Sequence, residues 1–320
     1  MSDARRFIKS LAGAAALLGA AAAVFLLAAD PYDRGHGLFA VGGTLENGPR
    51  TGDASRGRDP AFNAAVIGNS HAQMLSPQGL DAAAPGAAVV QLSVPGSGPR
   101  EHFALLDWFA RNHGAQARAV VIGVDQFYCA GDTAMKLAHP FPFWLYDADP
   151  LTYGANLFRG RALRSAARRL LLIAGRKPPV RPDGFRDYSG DYTPNDTWRR
   201  TAETMRTPGY WNQSGAFPVI DLLAEKLRAL PAQTRVILYV PPIFAEGLPV
   251  TQADMAGERA CVAALERLAV ARGRTRVVDL RRDTPETRDP LNFLDMTHYA
   301  KPLAQAAEIR IGAALRGLDQ

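Results

Sequence analysis

Five stretches of this chain read as strands, the first three apolar almost without interruption: Ala64–Ile67, Ala87–Val94, Ala117–Val124, Arg235–Val240 and Arg276–Leu280. Continuous runs of this length, rather than alternating ones, suit strands covered on both faces, as in a parallel sheet. Between them the apolar residues recur at helical spacing. Phe103, Leu106 and Phe109 share one face of a helix that begins near Pro99 and ends near Gly114. Leu223, Leu227 and Leu230 form a second stripe, and a third helix runs from about Asp254 to Arg272, stopped by Gly273. Leu303, Ala307, Ile311 and Ala314 line up on a last helix, from about Pro302 to Leu315. Strands alternating with helices, joined by right-handed crossovers, predict a doubly wound α/β sheet.

Two stretches break the rhythm. Leu11–Ala29 is an unbroken small and apolar run preceded by Arg5, Arg6 and Lys9. It is long enough to cross a membrane as a helix. A cleaved signal peptide is the rival reading, but the end of the run, Phe25 to Asp30, lacks a small-x-small cleavage site, which favours a retained anchor. The positive flank then stays cytoplasmic, so the rest of the chain is expected outside an inner membrane, in a periplasm or its equivalent. Residues 30–62 are rich in Gly, Asp, Arg and Pro and read as a linker. Residues 126–215 carry many aromatic residues, among them Phe141, Trp144, Tyr153, Tyr188, Tyr192, Tyr210 and Trp211, around a basic helical segment from Arg159 to Arg176. So long an excursion inside one domain reads as an insertion or lid. Aromatic and arginine side chains there suit stacking on sugars or contact with anionic headgroups, and equally a satellite apolar cluster with a solvated basic face. The expected organisation is an anchor over 1–29, a linker over 30–62, and one domain over 63–320: a flavodoxin-like, five-stranded, three-layer α/β/α sheet with a long insertion after the third strand.

Composition changes this picture little. Apolar residues make up 47% of the 320 and charged residues 21%, ordinary for a globular protein. A net charge of +6 attracts an anionic partner without choosing among lipid, acidic glycan and nucleic acid. The chain has no zinc-ligand spacing, Walker loop or RNA-binding signature, so no metal, cofactor or nucleic acid is expected. Two cysteines, Cys129 and Cys261, would pair in an oxidising compartment; two buried free thiols are the other reading.

Candidate chemistry collects at strand ends. Ser70 follows the first strand through Gly68-Asn69, Gly96 follows the second, and Asp125-Gln126 follow the third. In doubly wound sheets ligands bind there, where the strand order reverses. Far along the chain, Asp295 and His298 stand three residues apart before the last helix. Ser70, His298 and Asp295 make a nucleophile, a general base and an orienting carboxylate. The backbone N–H groups of Ser70 and Gly96 are candidate donors to a developing oxyanion. His71 follows the nucleophile and reads chiefly as a packing residue; His102, His113 and His139 read as surface or core residues.

These motifs resemble the SGNH (GDSL-type) hydrolase superfamily in kind and order. Gly68-Asn69-Ser70 stands where that family has Gly-Asp-Ser, and Gly96 where it has its oxyanion glycine. Gly123-Val124-Asp125-Gln126 stands where it has Gly-x-Asn-Asp, and Asp295-Met296-Thr297-His298 where it has Asp-x-x-His. The resemblance covers about residues 62–316 apart from the insertion. With the anchor, it looks most like extracytoplasmic proteins of polysaccharide O-acetylation and teichoic-acid D-alanylation. It therefore implies a serine esterase or O-acyltransferase acting on acyl, chiefly acetyl, esters of a cell-envelope or exported polysaccharide through an acyl-serine. It also implies a multipass membrane acyltransferase as partner. One position departs: the family's third motif donates an Asn side-chain N–H to the oxyanion, and an ionised Asp125 cannot. Gln126 is the candidate substitute, or Asp125 is protonated, or it binds substrate. Two further readings are kept: a glycan-binding or assembly protein whose serine site is degenerate, and a binder of an anionic cofactor with Gly96-Ser97-Gly98 as its phosphate loop.

Overall fold

The computed structural model describes residues 2–35, 48–158, 161–176, 180–192 and 197–318. Five strands, β1 (Ala64–Ile67), β2 (Val89–Gln91), β3 (Ala119–Gly123), β4 (Arg235–Val240) and β5 (Thr275–Asp279), form one all-parallel sheet in the order β2-β1-β3-β4-β5. Strands β1, β3 and β4 are buried at every residue, which is why they read as unbroken apolar runs. The order reverses between β1 and β3, whose registered partners run from Ala64 opposite Ala119 to Ile67 opposite Ile122.

The helices, in chain order, are α1 (Ser2–Ala29), α2 (Pro49–Arg56), α3 (Pro77–Ala83), α4 (Pro99–His113), α5 (Pro150–Asn156), α6 (Ala162–Ile173), α7 (Thr197–Met205), α8 (Pro218–Leu227), α9 (Gln252–Arg272), α10 (Pro285–Arg288) and α11 (Lys301–Arg316). Helices α3 and α11 cover one face of the sheet: Leu80, Leu303, Ala307 and Ile311 pack with Val66, Val121, Ile237 and Tyr239. Helices α4, α8 and α9 lie together with the other. Their capping is local chemistry. Ser76 Oγ accepts from Gly79 N at the start of α3, and Thr251 Oγ1 from Asp254 N at the start of α9.

The described residues fall into two compact units, 1–55 with 142–182, and 56–141 with 183–320. The sheet belongs to the second. The division runs through both the 30–62 and the 126–215 stretches. Residues 183–215 belong with the sheet, whereas 142–182 belong with the N-terminal segment. The physical reason is a set of buried carboxylates in the first unit. Asp30 ends α1 and accepts from Arg34 N (2.9 Å), Gly35 N (2.7 Å) and Tyr153 Oη (2.7 Å). Asp33 accepts from Ser55 Oγ (2.6 Å) and from Arg169 on α6 (2.7 Å), both charged side chains being about 5% exposed. Helix α1 packs on α6, and Leu26 and Ala29 are buried. The 30–62 stretch also contains helix α2, with Asp53 and Ala54 fully buried. Helix α1 is long and apolar enough to cross a membrane. The basic segment is helical over Ala162–Ile173; Arg159 lies outside the described residues.

Candidate active site

The second unit brings the two ends of the sequence motif set together. Ser70 Oγ lies 2.8 Å from His298 Nε2, and His298 Nδ1 lies 2.9 and 2.8 Å from the two Asp295 oxygens. Asp295 Oδ1 also accepts from Thr297 N and His298 N, each at 2.8 Å. Burial pushes the Asp295 carboxyl up, but the His298 hydrogen bond and charge, with the two backbone donors, outweigh it and hold it below the ordinary carboxylate value. A carboxylate so held stays ionised and fixes the tautomer with Nε2 facing the serine.

Ser70 sits at the switch point of the sheet. After β1 the chain makes a series of tight turns: Ala72 N bonds to Asn69 O and Gln73 N to Ser70 O. Glycine is needed beneath these turns. A Cβ on Gly68 would stand 2.8 Å from the Ala72 Cβ, and one on Gly123 2.9 Å from the same atom, so Ala72 seats the serine turn on the ends of β1 and β3. Two buried polar groups brace it from outside. Gln91 Nε2 donates to Ala72 O (3.1 Å) and Leu75 O (2.9 Å), and Tyr188 Oη donates to Ser70 O (2.7 Å). Tyr192 and His71 flank the His298 ring, at centroid distances of 5.1 and 4.9 Å. Burial, with the charges of His298 and Arg281, pushes His71 down to about 3, so it faces the base as a neutral ring.

The loop after β2 is held by a buried relay. Ser97 Oγ donates to Gly68 O (3.3 Å) and lies 2.8 Å from His102 Nε2; His102 Nδ1 lies 2.9 Å from Tyr128 Oη. Ser97 gives its proton to the carbonyl, so His102 donates from Nε2 and accepts from Tyr128. Burial alone pushes His102 down to about 3, consistent with that neutral form. This relay fixes Gly96 beside Ser70. The N–H groups of Ser70 and Gly96 donate to nothing among the described residues. The Gly98 N–H, in contrast, donates to the buried carboxylate of Glu101 (3.0 Å). A carboxylate therefore occupies the helix N-terminus that a Gly96-Ser97-Gly98 phosphate loop would need, which argues against the anionic-cofactor reading.

Asp125 and Gln126 are placed otherwise than as oxyanion or substrate groups. Asp125 is 3% exposed and lies behind Asn69, whose Nδ2 donates to its Oδ2; its Oδ1 accepts from Phe127 N at 2.9 Å. The Asn69 Oδ1 in turn accepts from His71 N (3.0 Å). Every donor in this chain points toward Asp125, so the position calls for an acceptor on both sides. An amide at 125 would supply only one. Burial pushes the Asp125 carboxyl up to about 6, against the opposing Phe127 N–H, Arg281 charge and Asn69. Gln126 Nε2 donates to Tyr210 Oη and does not line the cleft.

That cleft, about 560 Å³, opens in front of Ser70 and Gly96 and is walled by Phe127, Met135, Leu137 and Val219, with Asp132 and Lys136 among its polar lining. A larger groove, about 680 Å³, lies at the opposite ends of the strands, lined by Arg118, Arg235 and Arg274, and holds no nucleophile–base pair. Cys129 and Cys261 are joined in a disulfide, Cα atoms 5.6 Å apart, tying the segment after Asp125 to α9. No family model, curated protein or solved structure matches this chain.

Three supports escaped sequence reasoning: Gln91, Tyr188 and the Ser97–His102–Tyr128 relay. Gln91 had a usable signal, being the single amide in the apolar run Ala87–Val94. Tyr188 and His102 had none, since their partners lie far off in sequence or on another element.

Proposed function

We propose that this chain is a membrane-anchored serine esterase or O-acyltransferase of SGNH type, with a flavodoxin-like sheet. It acts outside the cytoplasmic membrane on acyl, chiefly acetyl, esters of a cell-envelope or exported polysaccharide. The observation that carries this reading is the continuous set Ser70 Oγ–His298 Nε2 (2.8 Å) and His298 Nδ1–Asp295 (2.8 Å). His298 takes the Ser70 proton as Oγ bonds to the ester carbon. The carbonyl π pair moves to oxygen, facing the open N–H groups of Ser70 and Gly96. Collapse breaks the bond to the leaving sugar oxygen, which receives the proton from His298. Water or a sugar hydroxyl then releases the acyl group from Ser70 by the same steps in reverse. The largely apolar cleft has room for an acyl group and part of a sugar, and its Lys136 suits an anionic polymer.

The departure at Asp125 fits this reading better than it first promises. On the family resemblance, the acid and the amide have exchanged places: Asn69 stands where the family has Asp, and Asp125 where it has Asn. In the structure the two side chains are hydrogen-bonded to one another. The exchange is therefore compensated rather than degenerate. The loss of the family's amide donor still favours the second reading, a glycan-binding protein on the same fold. A retained anchor is supported by Leu26, Ala29 and Asp30, which are built into the first unit and would be lost with a cleaved leader. The Arg5, Arg6 and Lys9 flank supports a site outside the cytoplasm, where a multipass acyltransferase is the partner that the resemblance implies.

The test uses full-length protein in detergent with a fluorophosphonate probe and 4-nitrophenyl acetate. Wild type is expected to be labelled and to turn over, and Ser70→Ala to do neither while keeping its melting temperature. A well-folded wild type that is neither labelled nor active refutes the enzyme and leaves the glycan-binding alternative.

A further inference from the structure

Acyl transfer through Ser70 leaves one requirement unmet. Two backbone donors, Ser70 N–H and Gly96 N–H, belong to cleft-lining residues and donate to nothing among the described residues, and the side chains at 125 and 126 are both engaged elsewhere. A tetrahedral oxyanion accepts three hydrogen bonds readily, and each preset donor contributes strongly in a water-poor site.

The segment 130–141 runs across the mouth of this cleft without regular secondary structure, and its Ala138 lines the same wall as Ser70 and Gly96. The next residue, His139, lies directly over Gly96. A Cβ on Gly96 would stand 2.9 Å from His139 Cδ2 and 3.1 Å from His139 Nε2, so the imidazole edge that carries Nε2 faces this glycine. Gly96 has φ +65°, so glycine is already favoured there by the backbone. Its missing side chain is also the space that the imidazole edge approaches. Neither His139 ring nitrogen has a hydrogen-bond partner among the described residues. Nε2 is therefore free to donate, as one tautomer of the neutral ring does and the cation always does. Of the other side chains of this segment that line the cleft, Met135 and Leu137 are apolar, and Lys136 alone carries a donor.

We propose that His139 is a catalytic residue that supplies the third oxyanion donor, Nε2–H, replacing the amide whose place Asp125 has taken. This rests on the acyl-transfer reading of Ser70. His139 gives up no proton. While the Ser70 Oγ–carbon bond forms and the carbonyl pair moves to oxygen, His139 Nε2–H hydrogen-bonds the oxyanion beside Gly96 N–H. It releases it when the bond to the leaving oxygen breaks. The base throughout is His298.

The experiment measures kcat and KM of full-length protein in detergent for 4-nitrophenyl acetate, with fluorophosphonate labelling of Ser70 alongside. His139→Phe keeps a ring over Gly96 but has no donor, and is expected to lower kcat about 100-fold with KM within about threefold. His139→Asn carries a donor and is expected to recover to within about tenfold of wild type. His139→Phe with wild-type kcat, or an effect confined to KM, overturns the proposal while the Ser70 reading stands. A wild type that is neither labelled nor active overturns both. Equal losses in His139→Phe and His139→Asn with a lowered melting temperature mean that the ring only packs, and also overturn it.

Discussion

Replacing Asp125 by Asn tests the reasoning about the polar chain behind the serine. Two effects oppose each other in this variant. The amide accepts from either Asn69 Nδ2 or Phe127 N but not both, leaving one buried N–H unsatisfied at a cost of about 1–3 kcal/mol. Against this, the variant removes a buried carboxylate. Burial pushes that carboxyl from its ordinary 3.8 to about 6, so holding it ionised at pH 8 costs the folded state about 3 kcal/mol. The two terms nearly cancel at pH 8, and the variant is expected within about 2 kcal/mol of wild type there. They part at acid pH. The folded carboxyl binds its proton more tightly than the unfolded one, so its contribution is fully present below pH 3.8 and lost as pH rises through 6. At pH 5 the folded carboxyl is about nine-tenths protonated and the unfolded one about one-sixteenth, a preference of about tenfold, or about 1.4 kcal/mol. Wild type gains this between pH 8 and pH 5 and the variant does not. By the usual scaling for units of this size, the melting temperature of wild type minus that of the variant rises by about 3–5 °C between pH 8 and pH 5. Glu258, which burial pushes up to about 7, titrates in both proteins and drops out of the difference. Calorimetry of both proteins in the same detergent reads the gap at the two pH values. A wild-type-minus-variant difference that stays constant, or falls toward pH 5, refutes a carboxylate held high by burial.

The disulfide and the buried ion pair give two further tests. Cys129 and Cys261 close a span of 132 residues, and their reduction, or Cys261→Ser, is expected to destabilise the second unit by about 3–5 kcal/mol. Alkylation before reduction should modify neither thiol, and two modified thiols would show that the bond is absent. In the first unit, Arg169→Ala removes the guanidinium bonded to the buried Asp33 carboxylate, at an expected cost of about 3–5 kcal/mol. Limited trypsin digestion of the full chain should then cut within residues 161–176 at least 100-fold faster than in wild type, and an unchanged rate would mean that the pair does not hold α6 in place.

What could be read from the sequence divides along a physical line. Strands β1, β3 and β4 announce themselves because residues buried on both faces have no polar alternation to lose. Helix α9 announces its end because Gly273, at φ +68°, adopts a backbone that other residues avoid. The partners Ser70, Asp295 and His298 could be paired across 228 residues only because each follows a strand or precedes a helix in a position that doubly wound sheets use for ligands. The two units were not legible. Their division rests on Asp33 with Arg169 and Asp30 with Tyr153, pairs separated by 136 and 123 residues, and no local pattern marks which buried carboxylate meets which donor.

The same limit explains Asp125. Taken alone it is a missing donor, because a sequence shows which group a side chain carries and not which way its neighbours' hydrogens point. Asn69 presents Nδ2–H to it and Phe127 presents N–H, while His71 N–H commits the other end of the Asn69 amide. Once that end is fixed the amide cannot flip, and only an acceptor with two oxygens completes the chain. The residue that weakened the case for chemistry at Ser70 is thus the one that sets the orientation of Asn69. On the proposed acyl transfer, whatever stabilises the oxyanion beyond the two backbone N–H groups has to come from another element. The edge of His139, which lies over Gly96, is the donor proposed for it.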